Sequence, residues 1–172
     1  MFSSRFIPWI LLAVGLLGTV IQFIVYGPQL PANVGSHFNE QGVRDGSMSR
    51  TLLLLLFGGL QFGLAGMMLG LGKLMRVMPI SMINIPHREY WLHEDRRDET
   101  LAYMQQVMVW IAACTAIFMV FTLQLTIDAN LAGPEPQLNM PVFWTVLVVY
   151  MVAIGAICVV LFRRFRRTPK EG

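Results

Sequence analysis

The chain has 172 residues, 55% of them hydrophobic and only 13% charged, and a mean hydropathy of +0.58. Soluble domains carry about 25% charged residues, so this composition excludes an ordinary soluble domain. The formal net charge of +3 is no nucleic-acid signature, and no such partner is expected.

Four stretches, 7–26, 51–72, 104–127 and 141–162, contain no Asp, Glu, Lys, Arg or His. A bilayer core needs roughly 20 apolar residues per helix. The period-2 alternation of a membrane β-barrel is missing from these runs. The expected fold is all-α, a single four-helix transmembrane bundle over residues 1–172, with the lipid bilayer as its surroundings.

The first run follows Arg5 and begins like a signal peptide, but it continues to Tyr26 without a small-x-small cleavage pattern. It therefore reads as an uncleaved first span, with Pro8 in its first turn, where a missing N–H costs nothing. The loop at 27–50 is rich in residues with specific backbone or chemical uses, among them Pro28, Pro31, His37, Glu40, Gly42 and Asp45. On a helical turn His37 and Glu40 would share a face, and with Asp45 they sketch a metal site. One histidine without a nearby cysteine is poor against the three or four protein ligands of zinc sites. The expectation is no metal or cofactor, with His37 and Phe38 packing a compact loop or touching a partner.

In the second run Gly59, Gly63, Gly66 and Gly70 follow i, i+4, i+7, i+11 and form one stripe without side chains. Such a stripe lets another helix approach closely, either inside the bundle or from a second subunit. Gln61, in mid-span, needs an interhelical hydrogen bond.

The loop at 73–103 starts with an apolar part, 74–85, broken by Pro79 and Pro86, which reads as lying in the headgroup region. Tyr90, Trp91 and Leu92 look like interfacial anchors. Glu94 and Asp95 suit a helix N-terminus. Arg96 with Glu99, and Glu94 with Arg97, are spaced to pair at i+3. One long helix is expected to start near Glu94 and enter the membrane at about Met104. Cys114 and Cys158 fall inside spans and read as small hydrophobes.

Arg5, Lys73, Arg76, Arg88, Arg96, Arg97, Arg163, Arg164, Arg166, Arg167 and Lys170 are 11 of the 13 basic residues and share one side of a four-span topology. The positive-inside rule places that side, with both termini, in the cytoplasm, and the 27–50 loop outside. The R-R-F-R-R tail can anchor the last helix to anionic headgroups. The spans carry no ionisable residue, which argues against a pump or an ion-coupled transporter. None of the common site motifs of enzymes occurs.

The stretch 30–45, L-P-A-N-V-G-S-H-F-N-E-Q-G-V-R-D, resembles the first-loop pattern of the DUF1648 family of bacterial membrane proteins. Leu30, Pro31, Val34, His37, Phe38, Gly42 and Asp45 carry the likeness. Gly35 stands where that family has proline, and Arg50 stands near its lysine. Asn84, Pro86, Tyr90, Trp91, Leu92, Arg96, Arg97, Glu99 and Thr100 resemble a pattern in a subset of the same family. The resemblance implies a multi-pass protein of the bacterial inner membrane. It is distantly similar to SdpI-type immunity proteins, which protect a bacterium from a secreted toxic peptide.

Three functions follow as expectations. The first is a non-enzymatic protein whose outer loop recognises a peptide or partner. The second is an accessory subunit of a larger membrane complex, or a homo-oligomer. The third is a metal-dependent enzyme using His37, Glu40 and Asp45.

Overall fold

The computed structural model describes residues 5–166; Arg167 and Lys170 lie outside them. The elements in chain order are α1 (Ile7–Tyr26), β1 (Asn33–Phe38), β2 (Arg44–Ser49), α2 (Arg50–Val77), a 3-10 turn (Ile80–Met82), α3 (Arg88–Trp91), α4 (Glu94–Leu131) and α5 (Met140–Arg166). Helices α1, α2, α4 and α5 are long and apolar enough to cross a membrane, the arrangement of a multi-pass membrane protein.

Helix α1 coincides with its apolar run, whereas α2 and α4 begin before theirs for local reasons. Ser49, extended at φ −64 and ψ 145, accepts from the Leu52 N–H and starts α2 two residues past the end of the hairpin's apolar face. Glu94 and Asp95 occupy the first turn of α4, where the helix dipole favours carboxylates. At 38 residues α4 is about 57 Å long, well beyond a hydrocarbon core of roughly 30 Å.

The four helices do not enclose a common core. Helix α4 is the spine: α1, α2 and α5 each lean on it, and α1 and α2 touch each other only slightly. Buried side chains cover most of the circumference of α4, including Val107, Val109, Ala112, Ala113, Ala116 and Leu123. Helix α5 buries only Ile157 and Phe165. The alanines explain the arrangement, because without a hydrophobic force between helices in lipid, association rests on close backbone approach. Gly15 meets α4 so closely that a Cβ there would sit 2.7 Å from the Ala116 Cβ and 3.0 Å from its carbonyl carbon.

Polar groups tie the same layer. Gln61, only 2% exposed, donates to the Gly15 and Ala116 carbonyls, 3.3 Å each, and joins three helices. Gln22 donates to the Val120 carbonyl at 3.0 Å and to Gln124 Oε1 at 2.9 Å. Thr115 and Tyr150 hydroxyls, 3.2 Å apart, link α4 to α5 beside the stacked Phe118 and Tyr150 rings. Cys114 and Cys158 are free thiols.

The glycine stripe does not pack inside the bundle. A Cβ at Gly59, Gly63, Gly66 or Gly70 would meet nothing within 4 Å. The face of α2 that packs is Leu53, Gln61, Ala65 and Gly72, and it leaves the four glycines on the far side. The hairpin likewise departs from an all-α architecture.

Gly15→Ala is expected to lower stability by about 1–3 kcal/mol, seen as an earlier thermal midpoint in mild detergent. Gly63→Ala is expected to leave the midpoint unchanged or raise it.

Candidate functional site

The expected outer loop is an antiparallel hairpin rather than a helical turn. Asn33 pairs with Ser49, Val34 with Met48, Gly35 with Ser47, His37 with Gly46 and Phe38 with Arg44, with irregularities on either side of His37. The turn between the strands is built by Asn39, whose Oδ1 accepts from the Gln41 and Val43 N–H groups at 3.0 Å each. Gly42 lies at φ 80, and a Cβ on it would press into the Leu138 carbonyl. Only glycine adopts that conformation at little cost. Leu138 N–H donates to the Gly42 carbonyl at 2.8 Å, and Arg44 N–H donates to the Pro136 carbonyl at 3.3 Å. The α4–α5 connection thus lines the hairpin along β2.

Three further ties press the hairpin onto the helices. Leu30 and Val34 are buried with Leu53, Leu123 and Ile127. Arg50 donates to the Leu30 carbonyl at 2.8 Å, which fixes the stretch that includes the exposed Pro31. Asn130 is the third tie. It is 4% exposed, accepts from the Gly35 N–H at 2.6 Å, and donates to the Gly35 carbonyl at 2.9 Å and the Thr126 carbonyl at 2.8 Å. Its side-chain amide serves Gly35 as a neighbouring strand would, and a proline at position 35 could not donate.

The bulge beside His37 turns its ring toward Asp45. His37 Nδ1 and Asp45 Oδ1 are 2.5 Å apart, with the side chains 76% and 44% exposed. Phe38 is half-buried against Gly35 instead of pointing outward. Glu40 sits in the turn, and no three His, Cys, Asp or Glu side chains gather to hold a metal among the described residues. The hairpin end therefore offers an exposed, polar, rigidly mounted pair.

At the opposite end, the sequence-selected residues form a clamp on α5. Trp91 Nε1–H donates to the Phe165 carbonyl at 3.1 Å, and their rings meet edge to face at 5.5 Å. Phe165 is buried, although it sits within a run of arginines. Thr100 holds Trp91 from below by donating to its carbonyl at 2.8 Å. The expected i+3 ion pairs on α4 do not form. Arg96 instead lies 4.1 Å over the Tyr90 ring and donates to the Tyr90 carbonyl at 3.0 Å. Glu99 pairs with Arg164 across to α5 at 3.0 Å, and that guanidinium covers the Tyr103 ring at 3.9 Å. Arg97 makes no hydrogen bond or ion pair among the described residues. Part of the connection expected at the membrane surface folds inward, since Ile83 and Leu92 are buried against Leu101. Val77 and Met82 remain highly exposed. Asn84 and Pro86 border a cleft beside the end of α5.

Asn130 and Phe165 escaped the sequence reading, and Arg164 was read there only as part of a lipid-anchoring tail. Asn130 had one signal, an amide three residues past the end of an apolar run. Phe165 had another, a lone aromatic among four arginines. No protein-family model, curated protein or solved structure matches this chain.

Asn130→Leu strands the Gly35 N–H and carbonyl, a cost of about 1–3 kcal/mol. Amide exchange across 33–38 is expected to rise tenfold or more, while exchange in mid-α1 stays unchanged. Phe165→Ala should destabilise the end of α5 by about 3–4 kcal/mol, seen as faster proteolysis after Arg163 with the hairpin's exchange unaltered.

Proposed function

We propose that this is a small non-enzymatic protein of the bacterial inner membrane whose hairpin recognises a peptide or protein partner outside the cell. The observation that carries the reading is the His37–Asp45 pair, held in one place on a hairpin pinned by Asn130, Arg50 and the α4–α5 connection. A polar contact this exposed adds little to stability. Its fixed position is therefore free to serve a ligand, with a cationic or donor group at His37 and an acceptor at Asp45. The basic residues favour a cytoplasmic location for the end opposite the hairpin. The likeness of 30–45 to the DUF1648 first loop points the same way and rests on those residues alone. Gly35 marks a difference in geometry, because its N–H is engaged by Asn130.

A second reading is an accessory subunit of a membrane complex, or a self-associating chain. The open face of Gly59, Gly63, Gly66 and Gly70 favours it, because another helix could approach that backbone closely. Native mass analysis in a gentle detergent separates the readings, since a clean monomer without a bound protein removes the second.

His37→Ala and Asp45→Ala are each expected to leave the thermal midpoint unchanged. Photo-crosslinked partner recovered from intact cells should fall by about tenfold, the scale of one lost charge-assisted contact. Equal recovery with wild type and both variants would refute the recognition role.

A further inference from the structure

A cleft of about 940 Å³ opens between the end of α5, the 84–86 stretch and α4. Its chemistry changes along the helix. Arg163, Arg166 and Asn84 give it a polar part, while Met104, Cys158 and Val159 give it an apolar part that is itself open, since Cys158 and Val159 are exposed. Cys158 lies five residues before Arg163, so the apolar part begins about 7.5 Å deeper along the helix.

We propose that this cleft holds one anionic phospholipid, its phosphate against Arg163 and Arg166 and an acyl chain against Met104, Cys158 and Val159. The inference rests on the helices crossing a bilayer and not on the hairpin's role.

Charge is the first argument. Arg163 and Arg166 are exposed and three residues apart on one helix; neither makes a hydrogen bond or ion pair among the described residues, and Arg166 lies 5.2 Å over the Phe162 ring. Like charges at that spacing repel, and an anion between them relieves the repulsion. Among the described residues, none that lines the cleft is acidic. Glu99, on the facing helix α4, is already paired with Arg164. Guanidinium forks match phosphate oxygens in geometry as well as charge.

The apolar part is the second argument. A soluble anion would use the two arginines and leave Met104, Cys158 and Val159 uncovered. A phospholipid satisfies both levels at once, as in basic pockets between transmembrane helices that hold lipid headgroups. The third argument is rigidity. Phe165, which forms part of the wall, is fixed by the Trp91 hydrogen bond and ring contact, so the cleft exists before a lipid enters.

The test is native mass spectrometry of the full chain in mild detergent, titrated with dioleoyl-phosphatidylglycerol or dioleoyl-phosphatidylcholine. One equivalent of the glycerol lipid should be retained, about tenfold more tightly than the choline lipid. Arg163→Gln with Arg166→Gln should weaken that retention about tenfold or more. These side chains are exposed, and the clamp residue Arg164 is untouched, so the fold is preserved. Cys158→Trp, which fills the apolar part, should weaken both lipids alike. Lys73→Gln and His37→Ala should change nothing. Equal retention of the two lipids, or undiminished retention by the double arginine variant, overturns the proposal. So does displacement by millimolar glycerol phosphate, which would mark a site for the anion alone.

Discussion

Everything in this protein hangs on how closely other helices can approach α4. In hydrocarbon, burying apolar surface gives little net attraction between helices, so contact depends on short distances and on hydrogen bonds between buried polar groups. Gly15 against Ala116 supplies the short distance, and Gln61, donating to both their carbonyls, supplies the bond. That layer seats α1 and α2 on the spine. Once they are seated, Leu53, Leu123 and Ile127 form the shelf on which Leu30 and Val34 of the hairpin rest. Helix α5, which lacks such a layer, depends on Tyr150 in the middle and on the Trp91–Phe165 clamp at its end.

The two ends of the molecule are built differently for a physical reason. At the hairpin end backbone groups do the joining, through the ladder, the 136–138 segment and the amide of Asn130. Backbone bonding produces a stiff, well-defined surface on which an exposed pair keeps its geometry. At the other end rings and guanidiniums do the joining, with Arg96 over Tyr90 and Arg164 over Tyr103. Amphipathic groups of this kind are comfortable at a membrane–water boundary, where one side is wet and the other apolar.

The spans, and the start of the longest helix at Glu94, were legible because apolar run length and the carboxylates of a first turn are local properties. The hairpin was not, since Asn33–Phe38 has only weak alternation and its stability comes from a partner residue 95 positions away, Asn130. Of the two roles that spacing allowed the glycine stripe, packing inside the bundle is not the one the fold uses. Spacing says which residues share a face, but not which face meets a neighbour, and the face of Gln61 and Ala65 prevailed. Local spacing also suggested an Arg96–Glu99 pair, whereas Arg164 of α5 took Glu99 and Tyr90 of α3 took Arg96. At the candidate site His37 and Asp45 could be named from the sequence, but their meeting across the bulge depends on a strand register that composition does not encode.

The length of α4 has one more consequence. Thr100 grips Trp91 near one end and Asn130 grips Gly35 near the other, 30 residues or about 45 Å apart on a single unbroken helix. The tightest contact, Ala116 against Gly15, falls about midway between them. The helix is also packed along the stretch between the grips, so one element sets the spacing between Trp91 and Gly35.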